Sequence, residues 1–557
     1  MKAGAPSARK YTFKKYMDTM ESRPSSIGTK PSRTNFQFDY SPESMAEQVE
    51  IISEAAADAS ESQKKKMKQT PLIDTIIEIV ADFLRSSGRV CYGGTAINAL
   101  LPDEMKFYDP DLDIPDYDFF SPAPNVDMKT LVENYVNKGF TNVEGKPGAH
   151  MGTYNVFVNY IKVADITYMP PRLYSRIFED SIERDGLNYA SPDYLRMAAY
   201  LELSRPSGQT DRWEKVYKRL MLLNKAHPIK TSACENAVHD HIFRTGNVKE
   251  IQGLVPILNK FMKNFVIEND VVMFGARAIE FYNIMGDSSK RVTPLNKKKY
   301  MFFDHHLLAN NPEVTAESCV NGLKMLIGID RIKMKHVDGF GENIPEHIAI
   351  SINDVPCIFI YKTVACHSYY EIPYGEEKEG KKLKIATIET MMNFFLAFIT
   401  AEPEKYNVNA ILCAAEYLIN LSYLQKINSK SLASYPLTCL GDQPTIEEMR
   451  KHKNEKYKEF KESNDKHNFD LYFSTYKAED VLRKRGKSLR TSPEVIKSPL
   501  RRSVHSIKYE GPNAERKTRK RVPIEDFAAK KRMIYRRKSS RKSKGSSTFF
   551  KALFNKK

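Results

Sequence analysis

The chain has 557 residues, 41% of them hydrophobic, and 86 Lys/Arg against 69 Asp/Glu give a formal net charge of +17. That length and apolar share allow two or three domains with a sizeable buried core. The seven cysteines show no CxxC pair and no regular spacing, which argues against a zinc site and a disulfide framework and fits a reducing compartment. The N-terminal MKAGAPSARKYTFKKY lacks the apolar core of a secretory signal, and no run of about 18 apolar residues occurs, so no membrane partner is expected.

Residues 1–68 mix Ser, Lys, Pro and Gly with little periodicity and read as a mobile arm, with one helix candidate in SPESMAEQVEIISEAAADAS. Order begins at Thr70-Pro71, a cap followed by proline at the first helical position. Leu72, Ile73, Ile76, Ile77, Val80, Phe83 and Leu84 then form one apolar face, and Ser86-Ser87-Gly88 ends the helix. Arg89 to Tyr92 is a short strand, and a helix runs from Ala96 to Leu101. Ser191-Pro192-Asp193 caps a further helix, and Asp211 opens another that carries Arg212, Trp213, Lys215, Val216, Arg219 and Leu220. Beyond Leu440 the chain turns charged and helical, and after about Arg483 it turns basic and rich in Ser and Pro, hence disordered. From Val481 to Lys557, 26 Lys/Arg face 5 Asp/Glu, a balance of +21, while the remaining 60 against 64 leave the body at −4. Attraction to polyanions is therefore concentrated in the tail.

Four segments recur in the same order. VCYGGTAINAL (90–100) is similar to VVMFGARAIEF (271–281), DYDFF (116–120) to KYMFF (299–303), IKVADITY (161–168) to CIFIYKTV (357–364), and ASPDYL (190–195) to ATIETM (386–391). The shared order points to an internal duplication of one domain. The expected organisation is α+β: the arm (1–68), a first domain with a helical extension (69–245), a second copy (246–440), a charged helical segment (441–482) and a disordered basic tail (483–557).

The first copy carries the candidate chemistry. Gly93-Gly94-Thr95 lies between a strand and a helix, where a glycine pair lets the backbone approach phosphates and the helix N-terminus offers free N–H groups. In Asp116-Tyr117-Asp118-Phe119-Phe120 the two acids share one face of a strand. Carboxylates that close repel unless a cation sits between them, and oxygen-only ligands suit Mg²⁺ or Mn²⁺. Asp165, inside apolar IKVADI, is the candidate third acid. Asp111 and Asp113 show the same alternation and are the rival pair, but their proline-bounded surroundings are poorer strand formers. Arg212, Lys215 and Lys218 are candidates for triphosphate contact, as are Arg196 and Lys162. The bland alternative is a charged helix face.

Taken together, YGGTAINALL, IPDYDFFSP, VADITYMP and SRPSGQTDRWEKVYKRL resemble the poly(A) polymerase catalytic subunits of large DNA viruses, the giant-virus type most closely, within the polymerase-beta-like nucleotidyltransferases. The resemblance covers about residues 70–400. It implies ATP as substrate, an RNA 3′ end as acceptor, and template-independent addition of AMP by two metal ions. Asp116, Asp118 and Asp165 would hold those ions, with Gly93, Gly94, Thr95, Arg212 and Lys215 at the nucleotide. It also implies a second domain that has lost its acids, in agreement with the repeat, whose alignment sets Lys299, Met301 and Tyr361 in place of the acids, Phe274 in place of Gly93 and Gly275 in place of Gly94. A homodimer, viral transcription or capping factors as partners, and the virion and cytoplasmic viral factory as location follow from the same resemblance. The rivals are uridylyltransferases, CCA-adding enzymes, oligoadenylate synthases and a non-catalytic RNA-binding scaffold. The tail's Lys517–Arg521 and Arg536–Lys542 clusters, with Phe549, Phe550 and Phe554, suit RNA binding or nuclear import.

Overall fold

The computed structural model describes residues 41–68, 70–109, 111–229, 231, 234, 248–285, 304–340, 343–373, 382–425 and 435–486. The basic clusters and phenylalanines of the tail, the first 40 residues, and Lys299 and Met301 lie outside them. Among the described residues no helix is long and apolar enough to cross a membrane.

Helix α1 (Pro42–Lys68) is exposed along its length and leads into α2 (Pro71–Ser87). Helix α2 buries Ile73, Ile76, Ile79, Val80, Phe83 and Leu84, and Gly88 closes it at φ +61°, its N–H donating to the Leu84 carbonyl. The first sheet is built from β1 (Val90–Cys91), β2 (Tyr117–Ser121), β3 (Val143–Pro147), β4 (Thr153–Val158), β5 (Ile161–Tyr168), β6 (Ile182–Arg184) and β7 (Leu187–Tyr189). Between these strands lie α3 (Gly93–Leu100), α4 (Pro124–Asn137) and α5 (Pro171–Glu179). Helices α6 (Pro192–Leu203) and α7 (Trp213–Ala226) follow, and Ser191 caps α6 by accepting the Tyr194 N–H.

The second sheet follows α8 (Val255–Glu268). It holds β8 (Val271–Phe274), β9 (His305–Ala309), β10 (Ile332–Val337), β11 (His347–Ile352), β12 (Val355–Lys362), β13 (His367–Pro373), β14 (Lys382–Ala386) and β15 (Cys439–Leu440). Its helices are α9 (Ala276–Met285), α10 (Pro312–Ile327), α11 (Ile388–Ala401) and α12 (Val408–Gln425). The chain then forms α13 (Ile446–Glu462) and α14 (Lys466–Phe473), adds β16 (Tyr476–Lys477) to the first sheet beside β3, and ends in α15 (Ala478–Lys484).

The α+β class and the duplication both hold. The strand orders are β16-β3-β4-β5-β2-β1-β7-β6 and β10-β11-β12-β9-β8-β14-β13-β15. Setting β16 and β15 aside, the two orders correspond strand for strand, and each neighbouring pair runs in the same sense in both copies. Helices α6 and α11 occupy equivalent places after their sheets, both start from a hydroxyl cap, and they pack against each other. Every residue of α11 is buried, so the two copies share one continuous core.

The register corrects the alignment read from sequence. Cys91 pairs with Phe119 as Met273 pairs with Leu307, and Asp118 pairs with Asp165 as His306 pairs with Phe359. The counterparts of Asp116, Asp118 and Asp165 are therefore Asp304, His306 and Phe359, rather than Lys299, Met301 and Tyr361. Gly275 (φ +81°) matches Gly93 (φ +72°), not Gly94. A Cβ on either would strike the residue two past the first acid, Asp118 in one copy and His306 in the other.

Two disulfides correct the cysteine reading: Cys234–Cys413 and Cys366–Cys439, with partners 179 and 73 residues apart. Cysteines that far apart leave no spacing signature, because their pairing is set by the fold. Cys91, Cys319 and Cys357 are free and buried. Under denaturing, non-reducing conditions three thiols per chain should react with a maleimide, against seven after reduction; seven without reductant would refute both bonds.

Glu389, at the head of α11, is 8% exposed, and burial pushes its carboxyl up from 4.5 to about 7. The folded chain thus holds a proton there that the unfolded chain has released. This contribution to stability is full below about pH 4.5 and is lost as pH rises through about 7. Glu389→Gln, which stays neutral, should melt above wild type at pH 8 and lose that advantage at pH 5. Equal melting differences at the two pH values would count against it.

Candidate active site

The site forms where β1, β2 and β5 meet the start of α3. Strands β2 and β5 are parallel, and Asp118 lies directly beside Asp165. Asp116, just before β2, points the same way as Asp118 because side chains alternate along an extended chain. One carboxylate oxygen of each of the three lies within 4.8 Å of the others. The rival pair is elsewhere: Asp111 is exposed in a turn, and Asp113 accepts the Asp109 N–H and pairs with Lys64 at 3.0 Å.

Two features of the backbone set this spacing. Tyr92 N–H donates to the Asp118 carbonyl (2.9 Å), and the Thr95 hydroxyl donates to the Asp116 carbonyl (2.8 Å). The Thr95 hydroxyl therefore ties the first turn of α3 to the acid strand. Gly93 starts α3 at φ +72°, and a Cβ there would lie 2.7 Å from Asp118 Oδ2. Only glycine allows both that conformation and that approach. Both glycines sit inside the helix's first turn rather than before it, so their N–H groups face the site region with the helix's positive end.

The acids repel one another, and burial adds to the cost of their charge. Asp118 is pushed up to about 7 by burial first, then by Asp116 and Asp165, against the pull of Lys162 and Arg212. Asp116 is raised by burial, an effect that Lys162 partly offsets. Lys162 Nζ lies 2.8 Å from Asp116 Oδ2 and 2.8 Å from Asp165 Oδ2. Asn155, the cross-strand partner of Asp165, donates its amide to Asp165 Oδ1. Asp116 Oδ1 is buried without a hydrogen-bond partner.

Cations gather at the start of α7. Arg212, at its N-cap, pulls on Asp118 and pairs with Glu202 at 3.3 Å. Lys215 and Arg219 follow at helical spacing, and Lys215 is held below its ordinary range by Arg219 first, then by burial and Arg212. The reading from sequence passed over Arg219 as a candidate, although that spacing gave the signal. Arg219 lies over the Phe107 ring at 4.7 Å and donates to Tyr108 Oη at 2.8 Å. A Cβ on Gly94 would lie 2.7 Å from Arg219 Nη1, so the guanidinium covers the first turn of α3. Lys218 points away and pairs with Glu214 at 2.6 Å on the exposed face. Arg196 is buried and spent on Asp193, Asn224 and the His227 carbonyl, so it supports α6 and α7. Neighbouring faces of α7 line an apolar cavity of about 830 Å³ with Phe107, Tyr217, Ile229 and Tyr423 among its walls.

The second copy's equivalent place is filled. His306 stacks on Phe359 (5.1 Å) and His347 on Tyr361 (4.4 Å), and Asp304 Oδ2 lies 3.6 Å from His306 Nε2. One acid of three survives there, sealed in a packed aromatic core.

Residues 78–209 match the family model described as poly(A) polymerase catalytic subunit. A protein of Acanthamoeba polyphaga mimivirus named as a poly(A) polymerase catalytic subunit is 32% identical over 251 residues, 43% of this chain and 40% of that one. A protein of African swine fever virus (strain Badajoz 1971 Vero-adapted) with the same name is 29% identical over 163 residues, 28% of this chain and 34% of that one. The chain thus matches less than half the length of these relatives. The crystal structure of the Megavirus polyadenylate synthase shares the fold, with a TM-score of 0.62 over 84% of this chain and 90% of that one, at 22% identity. The resemblance to the giant-virus type holds in sequence around the acid cluster and in fold over most of the chain.

Gly93→Ala should cost about 1–2 kcal/mol for the left-handed backbone and displace Asp118. Urea unfolding would measure the first effect and Mn²⁺ binding the second. Wild-type values of both would show that the glycine is not needed.

Proposed function

We propose that this chain is a template-independent poly(A) polymerase that transfers AMP from ATP to RNA 3′ ends. The observation that carries this reading is the three-carboxylate cluster on adjacent parallel strands, set against the first turn of α3. Matching of residues 78–209 to the poly(A) polymerase catalytic-subunit model supports it.

The residues fit a divalent cation. The donors are oxygens only, they converge, and Asp116 Oδ1 is a buried acceptor with no donor. Asp116, Asp118 and Asp165 would hold Mg²⁺ or Mn²⁺, which when bound supplies charge neutralisation at the reacting phosphate and activates the RNA 3′-hydroxyl. In the reaction the 3′-oxygen bonds to the α-phosphorus while the bond to pyrophosphate breaks. Arg212, Lys215 and Arg219, gathered at the start of α7 with Arg219 over the first turn of α3, would bind the leaving pyrophosphate together with the N–H groups of Gly93, Gly94 and Thr95. Phe107, Tyr217 and Tyr423 offer aromatic faces on which a base can stack in the adjoining cavity.

Incubation of the protein with a short RNA and each labelled nucleoside triphosphate in turn tests the reading. ATP alone should extend the primer, and Asp116→Ala should reduce extension by at least about a thousandfold at an unchanged melting point. Preference for UTP, or for CTP followed by ATP, would replace polyadenylation with a related transfer. Normal extension by Asp116→Ala would remove the site.

A further inference from the structure

Lys162 stands where a cation is needed. Both oxygens of Asp165 are engaged, Oδ1 by the Asn155 amide and Oδ2 by the Lys162 ammonium, and the same ammonium holds Asp116 Oδ2. In this arrangement each Asp165 oxygen already accepts a hydrogen bond, and a positive charge stands between Asp165 and Asp116.

The strand is built to place it there. Lys162 precedes Asp165 by three residues, which in a regular strand would put the two on opposite faces. The β4–β5 register shifts between Val156 and Phe157, so that Val156 pairs with Ala164 but Phe157 pairs with Lys162. This bulge re-aims Lys162 onto the acid face.

The second copy keeps the bulge and loses what it aims. Ile350 pairs with Ile358 and Ser351 with Pro356, the same shift at the same place. Pro356 stands in place of Lys162, Ala349 in place of Asn155, Phe359 in place of Asp165 and His306 in place of Asp118. A lysine needed to join the strands would be needed in both copies. Here the lysine and the amide are absent together with two of the three acids, while Asp304 remains in place of Asp116, in a framework that persists.

We propose that Lys162 is a displaceable internal cation, which neutralises Asp116 and Asp165 in the metal-free protein and withdraws when a divalent ion enters. Metal binding is then an exchange of an ammonium for an ion. The lysine is about one-third exposed on a flexible four-carbon stem, so withdrawal needs a change of rotamer and no backbone movement. The inference rests on reading the acids as a metal site.

The test uses the metal-stripped full-length chain without nucleotide. Mn²⁺ binding is followed by the paramagnetic resonance of the free ion in wild type, Lys162→Met, Lys162→Arg and Asp118→Asn. Lys162→Met should bind Mn²⁺ at least about tenfold more tightly than wild type, because no resident charge must leave. Lys162→Arg should not gain. Separately, reductive methylation of Lys162, read by peptide mass, should speed up when Mg²⁺ is added to wild type. Unchanged or weaker Mn²⁺ affinity in Lys162→Met, with binding abolished in Asp118→Asn, would overturn the proposal and leave the metal site standing. Wild-type affinity in Asp118→Asn would overturn the site and the proposal together. A methylation rate indifferent to Mg²⁺ would show that the lysine stays put, against the proposal.

Discussion

Three half-buried carboxylates held within 4.8 Å of one another repel, and the surroundings must bear that repulsion. A chain folding for stability alone would not assemble them. Once they are there, the neighbouring features follow as compensation or use. Lys162 and Asn155 cover the outer oxygens, the positive end of α3 approaches from one side, and Arg212 acts on Asp118 while Arg219 lies over the first turn of α3. Gly93 permits the closest of these approaches by having no side chain.

The duplication separates what the fold requires from what the chemistry requires. Both copies keep the strand order, the left-handed glycine, the bulge and the hydroxyl-capped helix. The second has exchanged repulsion for packing: His306, Phe359, Tyr361 and Phe394 fill the volume where charge stands in the first. Asp304 persists beside His306 inside that core. The copies meet through α6 and α11, equivalent helices in each.

The acid cluster was legible because alternation along a strand is a local property: Asp116 and Asp118 announce a shared face by themselves. The capped start of α6 was legible for the same reason, as was the start of α2 from Pro71 in its first turn, although Thr70 turns its hydroxyl to the Lys66 carbonyl and does not cap the helix. What escaped depends on register. The apparent match of KYMFF to DYDFF was carried by paired aromatics, whereas the strand that pairs with β8 begins at His305. The role of Lys162 hangs on a bulge, which shifts facing by one residue and leaves no mark in composition. The disulfide partners, far apart in the chain, were invisible on the same ground.

Strand β16 has a consequence for how the molecule is made. Tyr476 pairs with Gly145 at the margin of the first sheet, and Tyr154 Oη donates to the carbonyls of Asp470 and Leu471, across 316 and 317 residues of chain. The segment that follows the second copy therefore returns to the first sheet. During synthesis the margin at β3 stays open while the whole second domain is produced, an exposed hydrogen-bonding edge of the kind that invites mispairing. The sheet that carries the acids gains its last strand only when residues 476 and 477 arrive, so the half begun first is completed last.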